Sequence, residues 1–317
     1  MEYQVARNEQ ATRLKKINRA KREIVCTAIV LPITIGFCAF TLFPMILSLV
    51  VSFHDLHSYN MQYMEPAGWK NYEFLLGVDL RSGWMLTGLQ NIVRYLLNVP
   101  LWIISAIFLA NIVAKKLPGS KFMRVVMFMP QVMSGVAVTM VFKWIFQEEF
   151  GMFNTMLRNF GIEKPPLWQS SPDAFSGGVT ILSWWMYGMN VIVMENGFLN
   201  VDKSIQEAAM VDGAGDFHVF WKITLPALTP TIFYLWTMWL VAALQEQTMF
   251  QILSGNGTGP ADRGLTPVYY IYKLAFEASA SRGFGVACAL SWIYALLIMA
   301  ITRLNFWLSK FWVSYDF

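Results

Sequence analysis

The sequence predicts an all-α polytopic membrane protein with six transmembrane helices. Three observations support this fold class. First, 56% of the 317 residues are hydrophobic and only 14% are charged, whereas an average soluble domain has about 25% charged residues. Second, the apolar residues are collected in six long runs. Third, lysine and arginine are concentrated in alternate connections between these runs, as the positive-inside rule requires.

Each apolar run is long enough to cross a bilayer, which takes about 20 predominantly apolar residues. A polar and basic tail, residues 1–23, precedes the first run, and residues 24–317 form the predicted membrane domain. Prolines inside the runs are compatible with helices, because neighbouring helices satisfy the backbone groups that a proline frees. The predicted spans are residues 24–53, 91–114, 122–146, 175–198, 231–253 and 283–304.

The distribution of basic residues orients the chain. The short connection between the second and third spans contains Lys115, Lys116, Lys121 and Arg124, which predicts that this connection is cytoplasmic. The N-terminal tail is also basic, so both termini, and with them the connection at residues 199–226, are predicted to lie in the cytoplasm. The longer connections mix both signs of charge and are predicted to lie outside. They are residues 54–90, 147–174 and 254–282.

The connection at residues 199–226 has the pattern of two short helices joined by a glycine corner. Ser204 and Glu207 have the spacing of a capping box, which predicts that Ser204 starts the first helix. Gly213 tolerates the left-handed conformation of a helix end, and Asp216 is predicted to cap the second helix. The product is a compact hairpin with an apolar face, a shape suited to docking into the groove of a partner.

The same connection resembles the EAA loop in permease subunits of binding-protein-dependent ABC importers. The resemblance is carried by Glu207-Ala208-Ala209, by Gly213 and by Ile223-Thr224-Leu225-Pro226. It implies the permease fold of type I ABC importers and contact between this connection and a separate ATPase. Eight residues are expected to make that contact. They are Glu207, Ala208, Ala209, Asp212, Gly213, Phe217, Leu225 and Pro226.

Polar side chains within the fourth and fifth spans are candidates for lining a solute passage, because polar groups are costly in lipid and usually face a cavity or a partner. In the fourth span they share one helix face beside a tryptophan, and in the fifth they are consecutive. Hydroxyl and amide groups beside indole rings suit a sugar. The alternative is hydrogen bonding between helices that holds the bundle together. The candidates are Ser183, Trp184, Tyr187, Asn190, Gln245 and Glu246.

Further matches extend the resemblance over nearly the whole chain after residue 24, and they are closest to the carbohydrate-uptake branch of these permeases. They include Gly68-Trp69-Lys70-Asn71-Tyr72 and Phe128-Met129-Pro130, whereas Gly255 to Pro260 departs from the compact GGP of the family. The resemblance implies an oligosaccharide whose contacts come from the fourth and fifth spans, near Ser183, Tyr187, Asn190, Gln245 and Glu246. An acidic residue at position 246 is not a known feature of the branch, and it disfavours an anionic solute.

The resemblance also implies the partners. A second, homologous permease forms the other half of the passage, two ATPase subunits bind ATP and Mg, and an extracellular or periplasmic binding protein delivers the carbohydrate. The chain itself is expected to bind no metal, cofactor or nucleic acid and to contact membrane lipid. Its expected location is the bacterial inner membrane, as a multi-pass protein.

Two other classes of protein, an intramembrane enzyme and a secondary transporter, fit the sequence less well. The sequence contains no Walker A pattern, so the chain is not expected to hydrolyse ATP. The cysteines at 26, 38 and 288 lie inside apolar runs without metal or disulfide spacing, and no catalytic pair fits an intramembrane enzyme. A secondary active transporter of a polar solute is the alternative. Such a protein usually shows inverted repeats and coupling-ion carboxylates at mid-depth.

Overall fold

The computed structural model describes residues 23–56, 62, 64–115, 118–186, 189–277 and 283–314, and this part of the chain is mainly helical. The predicted tail before residue 23, and the predicted site residue Tyr187, lie outside it. The main helices, in chain order, are α1 (Glu23–Val51), α2 (Lys70–Phe74), α3 (Trp84–Ala114), α4 (Ser120–Val132), α5 (Gly135–Ile145), α6 (Met152–Asn159), α7 (Pro172–Met186), α8 (Met189–Asn200), α9 (Lys203–Val211), α10 (Asp216–Leu244), α11 (Thr248–Leu253), α12 (Pro267–Phe276) and α13 (Gly283–Ser309).

Shorter elements complete the described chain. A π-helical turn, Leu75–Asp79, and a short helix, Leu80–Ser82, follow α2, and a 3-10 turn, Pro260–Asp262, follows α11. Two short strands, β1 (His54–Asp55) and β2 (Glu65–Pro66), pair antiparallel just after α1.

Within the described residues, four helices, α1, α3, α10 and α13, are long and apolar enough to cross a membrane. The bent pairs α4–α5 and α7–α8 raise the number to six if each pair counts as one span. The prediction of a mainly helical, multi-pass fold is therefore confirmed.

The third predicted span, residues 122–146, is broken by a bend. Its two halves, α4 and α5, meet at 105°. Met133 and Ser134 between them are extended, with ψ of 150° and 127°, and Pro130 in the last turn of α4 supplies no amide donor. Irregular backbone at membrane depth is tolerated where protein or water shields it. The bend therefore indicates that this region faces protein or a cavity.

The boundaries of the fifth predicted span are wrong. Helix α10 begins at Asp216, inside the predicted connection, and ends at Leu244, inside the predicted span 231–253. A separate short helix, α11, then starts at Thr248. The second half of the predicted hairpin is therefore the beginning of a membrane-length helix rather than a separate short helix.

In both α1 and α10, a π-helical turn allows the helix to continue past a proline. Each contains a π-helical turn, Cys38–Leu42 or Phe220–Thr224, that ends two residues before a proline, Pro44 or Pro226. Proline has no N–H and its ring clashes with the carbonyl four residues earlier. A π turn bonds each carbonyl to the amide five residues later, so the helix passes the proline without ending.

Burial fixes the relative positions of the central helices. One core cluster surrounds Trp102 and draws on α3, α7, α10 and α11, and another joins α12 to α13 around Tyr269 and Leu290. A third, around Met194 and Leu228, joins α3 and α8 to α10. The apolar window of α1 is different, because none of its residues is buried within this chain.

Candidate functional sites: a surface hairpin and a tryptophan-lined cavity

Residues 199–226, called the α9–α10 hairpin below, begin with an acidic cap. The Asp202 side chain is the N-cap of α9 and accepts a 2.8 Å hydrogen bond from the backbone N–H of Ser204. That bond holds the pKa of the Asp202 carboxyl below its usual value. The predicted capping box was wrong, because an aspartate two residues before Ser204 takes the capping role.

The corner of the hairpin forms as predicted. Gly213 has a φ of +90°, in the left-handed region. The backbone N–H of Ala214 donates to the Ala209 carbonyl over 2.9 Å, and that of Gly213 donates to the Met210 carbonyl over 3.1 Å. These two bonds are the Schellman pattern of a helix end. Because a residue with a Cβ is disfavoured at this φ, Gly213 sets the angle of the corner.

The second half of the hairpin is tied directly to α10. The N-cap is Gly215, and no side chain caps this end, so the prediction that Asp216 caps the second helix was wrong. Gln206 in α9 donates from Nε2 to Thr224 Oγ1 over 3.2 Å, which links α9 to the π turn of α10. The hairpin and α10 therefore form one continuous unit.

The hairpin exposes large apolar side chains. Val211 is 88% exposed and Phe217 is 76% exposed, and the ring of Phe217 contacts that of Trp221. Contiguous exposed apolar surface usually marks an interaction site. Of the residues predicted to contact an ATPase, Ala209, Leu225 and Pro226 are half-buried, whereas Glu207, Ala208, Asp212, Gly213 and Phe217 are exposed.

A cavity of about 160 Å³ opens between α3, α4, α7 and α8. Trp102, Trp184 and Trp185 line it together with Ser105, whose Oγ accepts a 3.0 Å hydrogen bond from Trp184 Nε1. Aromatic rings carry a large apolar surface and, in tryptophan, a polar N–H. The wall therefore suits a ring-shaped solute with both an apolar face and hydroxyl groups.

Sequence reasoning singled out Trp184 in this wall and missed Trp102 and Ser105. The available signal was their spacing, because residues three apart are neighbours on a helix surface. They were missed because Trp102 lies within a continuous apolar run, where a tryptophan is indistinguishable from an ordinary core residue.

Two predicted site residues, Ser183 and Asn190, are buried beside the cavity without forming its wall. Ser183 Oγ donates to the Thr180 carbonyl over 2.9 Å, a bond within its own helix. Asn190 Oδ1 accepts a hydrogen bond from Trp239 Nε1, and its Nδ2 has no hydrogen-bond partner among the described residues. The Asn190 contact therefore joins α8 to α10, whereas the Ser183 contact stays within α7.

Gln245 and Glu246 lie at the break between α10 and α11. Gln245 is exposed, whereas Glu246 is half-buried and its Oε1 accepts a 3.0 Å hydrogen bond from the backbone N–H of Met249. A carboxylate at this position satisfies an amide that the start of α11 leaves without a partner in the helix. The contact supports a capping role for Glu246.

Side chains from other elements satisfy the carbonyls at this break. The Tyr294 hydroxyl of α13 donates to the Leu244 carbonyl over 2.6 Å, and Thr266 Oγ1 donates to the Glu246 carbonyl over 2.9 Å. Backbone groups freed by a helix break are costly unless they are bonded. The hydrogen bonds from Tyr294 and Thr266 therefore stabilise the break between α10 and α11.

Three buried asparagines clasp the connections that the sequence places outside. Each donates from Nδ2 to two backbone carbonyls, which uses both hydrogens of the amide group. Asn71 belongs to the segment that carried the family resemblance, so part of that pattern serves to fold the connection. The clasps join Asn71 to Ser52 and His54 (both 2.9 Å), Asn91 to Asp262 (2.7 Å) and Leu265 (2.8 Å), and Asn154 to Glu148 and Pro166 (both 3.1 Å).

An ion pair joins α4 to α8. Arg124 donates from Nε to Glu195 Oε2 over 3.0 Å and from Nη2 to Oε1 of the same carboxylate. Glu195 is buried, and two-pronged contacts of this kind are among the stronger hydrogen bonds in proteins. One of the basic residues that oriented the chain thus has a defined structural partner.

The helices share their fold with a chain of a solved bacterial ABC transporter. The structure superposes with a TM-score of 0.78 on a chain of a solved ABC transporter involved in the import of the acidic polysaccharide alginate, covering 92% of this chain and 97% of that one at 21% identity. A second solved structure contains the alginate transporter with a periplasmic protein bound to an alginate pentasaccharide. It gives a TM-score of 0.75, covering 91% of this chain and 94% of that one at 22% identity.

Sequence relatives identify the family. Residues 102–312 match the family described as binding-protein-dependent transport system inner membrane component. The chain is 32% identical to the probable ABC transporter permease protein YesP of Bacillus subtilis strain 168, over 91% of both proteins. It is 28% identical to the maltose/maltodextrin transport system permease protein MalF of Escherichia coli K12, over 77% of this chain and 49% of that protein. The chain belongs to this family of ABC transporter permeases, as the EAA pattern predicted.

Proposed function

We propose that the chain forms half of the translocation pathway of a carbohydrate importer and couples this pathway to a separate ATPase through the α9–α10 hairpin. MalF is part of a maltose/maltodextrin system, and the solved neighbour takes part in the import of an acidic polysaccharide. Related systems therefore handle saccharides of both charge types. The proposed solute is an oligosaccharide.

The observation that carries this proposal is the exposed apolar face of the hairpin and its continuity with α10. Val211 and Phe217 are among the most exposed apolar side chains of the described chain, and a groove on an ATPase would remove them from water. The bond between Gln206 and Thr224 ties α9 to α10. A displacement of the hairpin by the ATPase is then passed to a helix that packs against α3, α8 and α13.

The proposal includes the surroundings of the chain. A second, homologous permease supplies the other half of the pathway, and two ATPase subunits bind ATP and Mg. A binding protein outside the membrane delivers the solute. The chain crosses the bacterial inner membrane six times with both termini in the cytoplasm, which the concentration of lysine and arginine around α4 supports.

The proposed solute path passes the tryptophan-lined cavity. Trp184 stacks on the apolar face of a sugar, and Ser105 bonds one of its hydroxyl groups. Gln245, exposed beside a helix break, offers an amide to the solute farther along the path. Asn190 holds α8 against α10 through its bond with Trp239, and Ser183 is buried beside the path.

Cross-linking in the reconstituted importer tests the proposal. We expect a cysteine in place of Phe217 to cross-link to the ATPase subunit, and uptake of labelled oligosaccharides to require both ATP and the binding protein. Phe160, which is also 76% exposed but lies in a connection predicted to be outside, is the matched control and should not cross-link. Cross-linking at position 160 alone would overturn the orientation. Proton-driven uptake by this chain without an ATPase would instead indicate a secondary transporter.

A further inference from the structure

A second, smaller cavity of about 40 Å³ lies between α3, α7, α11 and the connection that follows α11. Two guanidinium groups, those of Arg94 and Arg263, line it together with the hydroxyl groups of Ser176 and Thr180 and the ring of Phe250. Among the described residues, no aspartate or glutamate contributes to its wall. The wall is therefore cationic.

Both guanidinium groups are available to a ligand. Arg94 donates from Nη1 to Asn91 Oδ1 over 3.0 Å, which uses one of its five donors. Asn91 is itself clasped to the backbone carbonyls of Asp262 and Leu265, so this contact orients Arg94. Arg263 belongs to neither of the ion pairs found in the described part of the chain. An anion in the cavity would neutralise two cations that form no ion pair with a carboxylate among the described residues.

The two hydroxyl groups in the wall act as acceptors. Ser176 donates its proton to the Pro172 carbonyl over 3.1 Å, and Thr180 donates its proton to the Ser176 carbonyl over 3.0 Å. A hydroxyl whose proton is already used offers only its lone pairs. Such oxygens suit the O–H groups next to the carboxylate of a sugar acid, and the neighbouring guanidinium groups suit the carboxylate itself.

The size of the cavity limits what enters it. A buried water needs about 10–15 Å³ measured in this way, so the space corresponds to roughly three water molecules. A carboxylate fits this space, and a whole sugar ring does not. The cavity therefore accommodates one acidic group while the rest of a chain lies outside it.

We propose that this cavity binds a carboxylate of the transported solute and that the solute is an acidic oligosaccharide such as a uronate chain. The inference rests on the proposed carbohydrate import and adds the charge of the solute. The sequence suggested the opposite, since Glu246 disfavours an anion. In the structure the Glu246 carboxylate caps α11 through Met249 and is not part of this wall, so that objection does not apply to this cavity.

Uptake by the complete importer tests the inference. The importer and its binding protein are placed in proteoliposomes and given panels of uronate and neutral trisaccharides of equal length. We expect uronate uptake in the unaltered protein, and a KM for the imported uronate raised about tenfold or more in Arg263→Gln and Arg94→Gln, because hydrogen bonds between charged groups are the stronger ones. Arg263→Lys, which keeps the charge, should retain part of the affinity.

Two controls test whether a change in KM comes from the cavity itself. Arg81 is exposed and does not line the cavity, so Arg81→Gln should leave the KM unchanged. Stimulation of the ATPase by sugar-free binding protein should be the same in all variants, since the cavity binds solute rather than the binding protein. A change in this stimulation that accounts for the altered uptake would overturn the inference in favour of a docking role.

The remaining outcomes separate the inference from the function on which it rests. Import of neutral saccharides alone, or an unchanged KM for uronates in both arginine variants, would overturn the inference and leave carbohydrate import standing. Import of no saccharide from either panel would overturn the proposed function itself. If Arg263→Gln fails to fold, Arg263→Lys and Arg94→Gln supply the same comparison.

Discussion

The α9–α10 hairpin and the three asparagine-clasped connections are both loops between membrane helices, yet they are built in opposite ways. In the clasped connections, buried amides of Asn71, Asn91 and Asn154 satisfy backbone carbonyls within the chain. In the hairpin, apolar side chains such as Phe217 are left in solvent. The first arrangement is complete within this chain, whereas the second leaves apolar surface in solvent.

The difference has an energetic basis. A buried carbonyl without a donor costs about 1–3 kcal/mol, so removing a clasp should destabilise this chain directly. An exposed apolar side chain contributes little to the stability of the free subunit and gains its energy when a partner covers it. Substitutions in the two regions should therefore affect different measurements, and the expected loss of stability decreases in the order that follows.

The largest loss of stability is expected for Asn154→Ala. It removes the bonds to the Glu148 and Pro166 carbonyls and the acceptor of the 2.7 Å bond from Trp168 Nε1. The Pro166 carbonyl and the buried Trp168 Nε1–H lose their partner, whereas the Glu148 carbonyl keeps a 3.0 Å hydrogen bond from Arg158 Nη2. The free energy of unfolding should therefore fall by about 3 kcal/mol, measured by thermal or denaturant unfolding in detergent. Asn159→Ala, at an exposed position of the same helix, is the control. Equal stability of the two variants would contradict the clasp interpretation.

A smaller loss of stability, with a large functional effect, is expected for Gly213→Val. The left-handed φ of Gly213 costs a residue with a Cβ roughly 1–2 kcal/mol, and relief of that strain would change the angle of the hairpin. ATP hydrolysis should continue while uptake falls. Gly215→Val is the matched control, because Gly215 has a φ of −74° and open space around its Cβ position. Unchanged uptake in Gly213→Val would count against mechanical coupling through this corner.

Glu246, at the break after α10, should show an intermediate effect. Glu246→Ala removes the acceptor for the Met249 amide and should cost about 1 kcal/mol of stability, as other capping losses do. Glu246→Gln keeps an oxygen at that position and should cost little stability. The sequence also predicts that Glu246→Gln alters solute selectivity more than folding. Wild-type uptake kinetics in this variant would assign Glu246 to the structure alone.

The smallest change of stability is expected for Phe217→Ala. An exposed surface substitution usually changes the free energy of unfolding by less than about 0.5 kcal/mol. If the side chain anchors the hairpin in a partner, affinity for the ATPase subunit should fall about tenfold, measured by titration of the detergent-solubilised subunit with the ATPase. Phe160→Ala is the control of equal exposure. The comparison between the two regions fails if both variants bind the ATPase equally.

Local signals in the sequence predicted the corner of the hairpin. Glycine at position 213 marks a helix end wherever the helix lies, because only the backbone conformation of that residue is involved. The caps were less predictable, since Asp202, Ser204 and Asp216 are all good capping residues and the choice depends on where each helix begins. The sequence therefore predicted the corner at Gly213 correctly and the caps at Ser204 and Asp216 wrongly.

Features that depend on packing were not predictable from one sequence. Hydropathy found the apolar segments, but it carries no information on direction, so the 105° bend between α4 and α5 was missed. The same holds for the clasps. Nothing in the sequence distinguishes Asn71, Asn91 and Asn154 from other polar residues. Their carbonyl partners lie at no fixed spacing from them, so only the folded chain shows the contacts.

The π turn before Pro226 lets α10 act as one long rod, and the length of that rod sets how far its ends would move when it rotates. Because the helix passes this proline, it runs unbroken over 29 residues, a length of about 43 Å at 1.5 Å per residue. On a lever arm of this length, a rotation of about 10° around one end shifts the other by roughly 7 Å. The Leu244 end of α10 accepts a hydrogen bond from the Tyr294 hydroxyl of α13. A rotation that displaces this end of α10 therefore also displaces α13.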